Sequence, residues 1–234
     1  MLRAPFLWNE CTMMNDLWMT FPLLEVLPGF RHRFTLRHPT IPVDAERAEV
    51  VARLWDWHRE QAAEMGFEGR AMCIAEQVHG ADVAVVNQVP EGPIPAVDGI
   101  ITATPGLVIG IYVADCGALY LADPVTGACG IVHSGKKGSE LGIAGVAIRR
   151  MQECFGSDPR DIRAQLGPCI RHPVYEVDFA AQIRASCLEA GVLAEHYADC
   201  GICTSSDLQR YYSYRIEKGR TGRLLALLGR DAAA

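Results

Sequence analysis

The rhythm of apolar positions changes near Gly69. Before it, in "DAERAEVVARLWDWHREQAAEMGF", Val51, Leu54, Trp55, Ala62 and Met65 recur at helical spacing with His58 between them, and Asp44 precedes them as an N-cap. After it come short runs rich in Val and Ile, "AMCIAEQV", "ADVAVVNQ", "GIITA", "GLVIGIYVA", "GALYLAD" and "ACGIVHS", parted by Gly, Pro or Asp. These read as strands. Pro124 to Gly127 is a turn signal that makes the last two a hairpin. "SELGIAGVAIRRMQECFG" reads as a helix from near Ser139 to Gly156, and "IRAQLG" as a strand. "DFAAQIRASCLEAGV" reads as a helix capped by Asp178 and ended by Gly191, and "TGRLLALLG" as a last strand. Residues 1–20 show no periodicity and read as an N-terminal extension to a single domain over 21–234. Strands clustered in the middle, not alternating with helices, predict an α+β architecture.

Composition narrows the function classes. Half of the 234 residues are hydrophobic, enough for a sizeable core, and the formal net charge is -6. An acidic chain is a poor general partner for nucleic acid, whose phosphates demand basic patches. No apolar run reaches membrane-spanning length, and the start of the chain lacks a signal peptide's continuous apolar stretch. The expected setting is the cytoplasm, with neither membrane nor nucleic acid as partner. Nine scattered cysteines in a chain this long fit free thiols in a reducing compartment.

Three segments carry a reactive side chain at the end of an apolar run and beside a glycine: "EQVHG" with His79, "VADCG" with Cys116 and "IVHSG" with His133. Two imidazoles and a thiolate make a three-ligand zinc set with one position left open. The same residues also fit a Cys–His hydrolase, with Cys116 as nucleophile and His133 as base. Spacing alone does not bring the three together. Just past His133, "GKKGS" sets Lys136 and Lys137 before Ser139. If Ser139 caps the next helix, the loop offers an anion site; otherwise it is a solvated turn. Cys200 and Cys203 form a lone C-x-x-C without the second pair that a structural zinc site needs, and the zinc-deaminase signature is missing around Pro168 and Cys169.

Taken in order, "GFRHRFTLR", "EQVHGADV", "VDGIITATPGLVIGIYVADCGALYLADP", "GIVHSGKKGSELGI", "LGPCIRHPVYEV" and "YYSYRIEKGRTGR" resemble the YfiH-type family, also labelled multicopper polyphenol oxidase or laccase domain. The resemblance runs from about Leu24 to Gly229. It implies layered mixed sheets flanked by helices in one domain, and a metal site of His79, Cys116 and His133 holding zinc, with copper as the second candidate. It also implies a small-molecule substrate. The first implied activity is zinc-dependent purine nucleoside phosphorolysis of adenosine or inosine, in some members with adenosine deaminase activity. A second is a peptidoglycan-editing amidase that removes misplaced serine from a muramyl precursor. The third is copper-dependent phenol oxidation, for which seven scattered histidines are too few to build a multicopper cluster.

Phosphate is expected near Lys137 and Ser139, and Arg37 in "FTLR" is a further candidate for an anionic or ribose group. The chain departs from the family pattern in three places. Lys136 stands where the family keeps tryptophan and Lys137 where it keeps arginine, a non-equivalent cation for bidentate phosphate recognition. Ala118 replaces a proline, and Arg171, His172 and Pro173 replace a Gly-Pro-Cys stretch.

Overall fold

A computed structural model describes residues 17–67 and 72–232. Eleven strands among them form two sheets. The first has the order β1 (Trp18–Met19), β2 (Phe30–Thr35), β11 (Leu224–Arg230), β6 (Val108–Val113), β3 (Met72–Ile74). The second runs β10 (Tyr197–Asp199), β9 (Arg163–Leu166), β7 (Gly117–Ala122), β8 (Cys129–Ser134), β5 (Gly99–Thr102), β4 (Val83–Val85). Both mix parallel and antiparallel pairs, which is the α+β class expected. The turn at Pro124 joins β7 to β8 as an antiparallel hairpin.

The sheets stack face to face, and the alternation of side chains along each strand builds three layers of core. Leu224, Ala226 and Leu228 of β11 meet Ala118, Tyr120 and Ala122 of β7 between the sheets, joined by Leu24 of the short helix α1 (Pro22–Glu25). Leu225 and Leu227 point the other way, into a cluster that includes Ala62 and Met65 at the end of α2 (Arg47–Glu64). Leu119 and Leu121 face α4 (Ile143–Phe155) and α5 (Phe179–Glu189). Strands covered on both faces need apolar residues at every position, so these segments read as continuous runs rather than as alternation.

Several expectations change. Residues 1–16 lie outside the described residues, but Trp18 and Met19 pair with β2, so the end of the expected extension is part of the sheet. The N-cap of α2 is Glu46, and Asp44 instead pairs with Arg220. Its buried face carries Val50, Leu54, Trp57, His58, Gln61 and Ala62, while Trp55 is 36% exposed. Positions 50, 54, 57, 58 and 61 form one continuous stripe; a stripe through Trp55 swings away from it. The helix expected from Ser139 is two helices: α3 (Lys136–Glu140) starts three residues earlier, and Gly142 at φ 68° breaks the chain before α4. Left-handed backbone suits a glycine there and cannot continue a helix. Asp178 does cap α5, accepting the Ala181 N–H. Among the described residues no helix is long and apolar enough to cross a membrane.

Candidate metal centre

Strand register brings the three candidate ligands together. In the β7–β8 pair Gly117 lies opposite Ser134 and Ala118 opposite His133, which sets Cys116, just before β7, beside the end of β8. On the other side Gly99 of β5 faces Val132, so Asp98 comes next to His133. The loop after β3 then delivers His79. One nitrogen from each of His79 and His133 and the Cys116 sulfur all lie within 4.8 Å of one another. The two imidazoles meet edge to face, with centroids 4.9 Å apart.

Asp98 holds this arrangement. Its fully buried carboxylate accepts the backbone N–H groups of Val78 at 3.1 Å, His79 at 3.0 Å and Gly80 at 2.7 Å, and His133 Nδ1–H at 2.7 Å. One side chain thus fixes both the His79 loop and the tautomer of His133, leaving His133 Nε2 toward Cys116. Burial pushes the Asp98 carboxyl up, but these donors outweigh it and hold it well below the usual range. A second aspartate does the same for Cys116. Asp115, at φ 81°, accepts from Thr204 Oγ1 at 2.6 Å, Ser213 Oγ at 3.1 Å and the Arg215 N–H at 2.7 Å. Gln77 and His79 also take positive φ. Such backbone is costly for non-glycine residues and persists where the surroundings impose it. Gly135 is needed for room, since a Cβ there would stand 2.5 Å from Cys116 Sγ.

The electrostatics favour a thiolate. Burial raises the Cys116 thiol, but the His133 charge and hydrogen bonds from both histidines bring it down below the ordinary thiol range. His133 moves the opposite way: burial lowers it, while Cys116 and Asp98 together raise it. By contrast Cys129 and Cys169, buried without such a partner, are pushed up to about 12.

The trio opens onto a cleft of about 950 Å³ lined also by Arg47, Lys136, Lys137, Tyr175, Phe179 and Arg223. Lys136 and Lys137 therefore face the same space as the trio. Ser139 does not cap the helix that follows; its hydroxyl lies 2.8 Å from Ser134 Oγ, and the N-cap of α3 is Gly135. Arg37 is engaged elsewhere, donating to Glu217 at 2.7 Å and to the Tyr211 carbonyl and lying over the Tyr212 ring. Arg171 turns to Asp199, so Ile170, Tyr175 and Glu176 are the residues by which its segment reaches the cleft. Cys203 pairs through its backbone with Cys169, and its sulfur lies 3.0 Å from Ser205 Oγ. Among the described residues, the C-x-x-C joins no group of three metal-binding side chains. Asp98 and Asp115 carry no motif of their own in the sequence; each directly precedes the first residue of a strand or a ligand, and only that position hints at a role.

The model of a family described as multi-copper polyphenol oxidoreductase laccase matches residues 46–182 and 176–231. Purine nucleoside phosphorylase YlmD of Geobacillus stearothermophilus is 29% identical over 229 residues, spanning 80% of this chain and 81% of its own. A purine nucleoside phosphorylase of Deinococcus radiodurans is 34% identical over 196 residues, 72% of this chain and 74% of its own. One of Streptomyces coelicolor is 39% identical over 141 residues, 59% of this chain and 57% of its own, so the match spans a little over half of that relative. The crystal structure of YlmD from Geobacillus stearothermophilus superimposes with a TM-score of 0.85 at 25% identity, covering 96% of this chain and 100% of that one. The Bacillus licheniformis hypothetical protein YfiH gives 0.84 at 21% identity over 95% and 100%, a likeness of fold.

Proposed function

The chain belongs to the multi-copper polyphenol oxidoreductase laccase family, and from that premise we propose that it is a zinc-dependent purine nucleoside phosphorylase. It would convert adenosine or inosine and phosphate to free base and ribose 1-phosphate. The observation that carries this reading is the convergence of His79, Cys116 and His133 on the wall of a cleft that lysines also line. Relatives named purine nucleoside phosphorylases support it.

The donor set fits zinc: two imidazoles and a thiolate, three ligands in reach of one centre. His133 is oriented by the carboxylate of Asp98 on its far nitrogen, the arrangement that fixes a histidine ligand. Zinc bound there supplies a Lewis acid with an open coordination position. In phosphorolysis a phosphate oxygen bonds to the anomeric carbon as the bond to the base nitrogen breaks. Lys137 holds the phosphate by charge. Phe179, Tyr175 and Tyr214 give the cleft an aromatic wall against which a purine stacks. Asp98 and Asp115 keep His79, His133 and Cys116 from moving during turnover.

The test is incubation of zinc-loaded protein with adenosine or inosine, with and without phosphate. Base release that requires phosphate and yields ribose 1-phosphate is expected; release independent of phosphate rules out phosphorolysis. Ammonia release from adenosine tests the accompanying deaminase activity.

One observation favours a second reading. Cys116, His133 and Asp98 form a hydrogen-bonded chain like that of a Cys–His–Asp hydrolase. Elemental analysis separates the two: about one zinc per chain supports the phosphorylase, and a metal-free protein that forms a covalent adduct at Cys116 supports the hydrolase.

A further inference from the structure

The cleft carries charge opposite to the chain. The protein has a net charge of -6, yet the cleft is lined by Arg47, Lys136, Lys137, Arg215, Lys218 and Arg223. Its acids leave most of these unbalanced. Glu176 pairs with Arg215. Asp115 already accepts from Thr204, Ser213 and the Arg215 backbone. Glu46 also lines the cleft and, among the described residues, stands in no ion pair, one carboxylate against several cations. Among the described residues, Arg47, Lys136, Lys137, Lys218 and Arg223 have no carboxylate within ion-pair distance.

Arg223 is the most telling of them. It is only 8% exposed, and Nη1 donates to the carbonyls of Thr221 and Gly222. The rest of a guanidinium has donors to spare. Burial, and then the like charge of Arg47, pull it below its ordinary range. Arg47 sits at the first turn of the long helix α2 and donates to the Glu76 carbonyl at 2.8 Å. Arg47 and Arg223 thus line one cleft with neither in an ion pair and with Glu46 as the nearby unpaired acid, and a phosphate supplies the charge that a single carboxylate does not. Lys136 and Lys137 enter from a different element, α3. One phosphate dianion cannot neutralise both groups, and a focused positive cleft in an acidic protein draws in anions.

We propose that the substrate carries a phosphate of its own: the cleft takes a nucleoside 5′-monophosphate, with Arg47 and Arg223 holding the substrate's phosphate and Lys136 and Lys137 the co-substrate's. This rests on the phosphorylase reading for the reaction but not for binding. The neutral nucleoside is then a poorer substrate than its 5′-monophosphate.

The test compares kcat/KM for adenosine and for adenosine 5′-monophosphate with zinc-loaded protein, and measures binding of both by calorimetry. The monophosphate is expected to be preferred by about tenfold or more, the scale of one charge-assisted hydrogen bond. That ratio should fall toward one in Arg47→Gln and recover in part in Arg47→Lys, which keeps the charge. A ratio of one or less in the unmodified protein overturns the proposal, as does a ratio that Arg47→Gln leaves unchanged. If neither compound is cleaved, the phosphorylase reading fails while calorimetry still decides this one: tighter binding of the monophosphate, lost in Arg47→Gln, upholds it, and equal binding overturns it.

Discussion

His133 and His58 are both buried, 4% and 0% exposed, and their chemistry is opposite. His133 has Asp98 on one nitrogen and Cys116 toward the other, and its pKa is raised. His58 sits on α2 between the rings of Trp57 and Tyr112, neither of its nitrogens has a hydrogen-bond partner, and burial pushes it down to about 3. Burial alone silences a histidine by excluding its charged form. Burial with an acid on one side and a thiol on the other keeps a proton on the imidazole while the centre is metal-free, and orients the nitrogen that would bind a metal once that proton is displaced. The first is a structural side chain in the α2 layer; the second is the centre of the candidate site.

The comparison breaks most completely at the ligands. Cys116→Ala is expected to lose bound zinc and turnover together, while His58→Met should keep both; elemental analysis beside an activity assay checks this. Asp98→Asn comes next. It removes the charge behind His133 and sets an amide N–H₂ against N–H groups that the carboxylate accepts, loosening the hold on the ligands, and zinc affinity should weaken about 10- to 100-fold in a competitive chelator titration. A fall of less than twofold would mean that Asp98 orients nothing.

Metal-free protein sharpens the electrostatic side. With its pKa lowered, Cys116 should react with iodoacetamide at pH 7 about tenfold faster than an ordinary thiol, and zinc should protect it. Mass mapping that finds Cys154, which is exposed, modified first would contradict this.

A separate effect, read away from the candidate site, is on stability against pH. His58, and His32, which accepts the Phe21 N–H at 2.7 Å, are both held down to about 3. Their unfolded values lie near 6.5, so below that pH the unfolded chain binds more protons than the folded one. Their contribution is complete above pH 6.5 and falls with pH toward 3, by about 1.4 kcal/mol per pH unit for each imidazole. Denaturant unfolding at pH 7, 6 and 5 should show this slope, and His58→Met should remove about half of it. An unchanged slope in that variant would place a proton on His58 in the folded state.

Much of the fold was legible because strands covered on both faces must be apolar throughout, and such runs stand out between glycines. β2 was missed because "FRHRFT" carries two arginines and a histidine, and the structure buries His32 and Arg33 by giving them partners: Phe21 to the first, Gln61 and Glu64 to the second. The α2 face was misplaced because Trp55 and Trp57 are equally apolar, and only the neighbouring sheet chooses between them. The three ligands were readable as reactive residues at strand ends, and Lys136 and Lys137 as cations in a glycine turn.

By itself the sequence determined which side chains are chemically capable and which segments must be buried, since both follow from residue type and period. Only the tertiary structure decided which of those residues meet. Ligands dozens of residues apart converge through the register of β5, β7 and β8, and a carboxylate such as Asp98 acquires its role from the neighbours that register supplies. It also set the charges of His58 and His133 apart, because a pKa is a property of surroundings rather than of the residue.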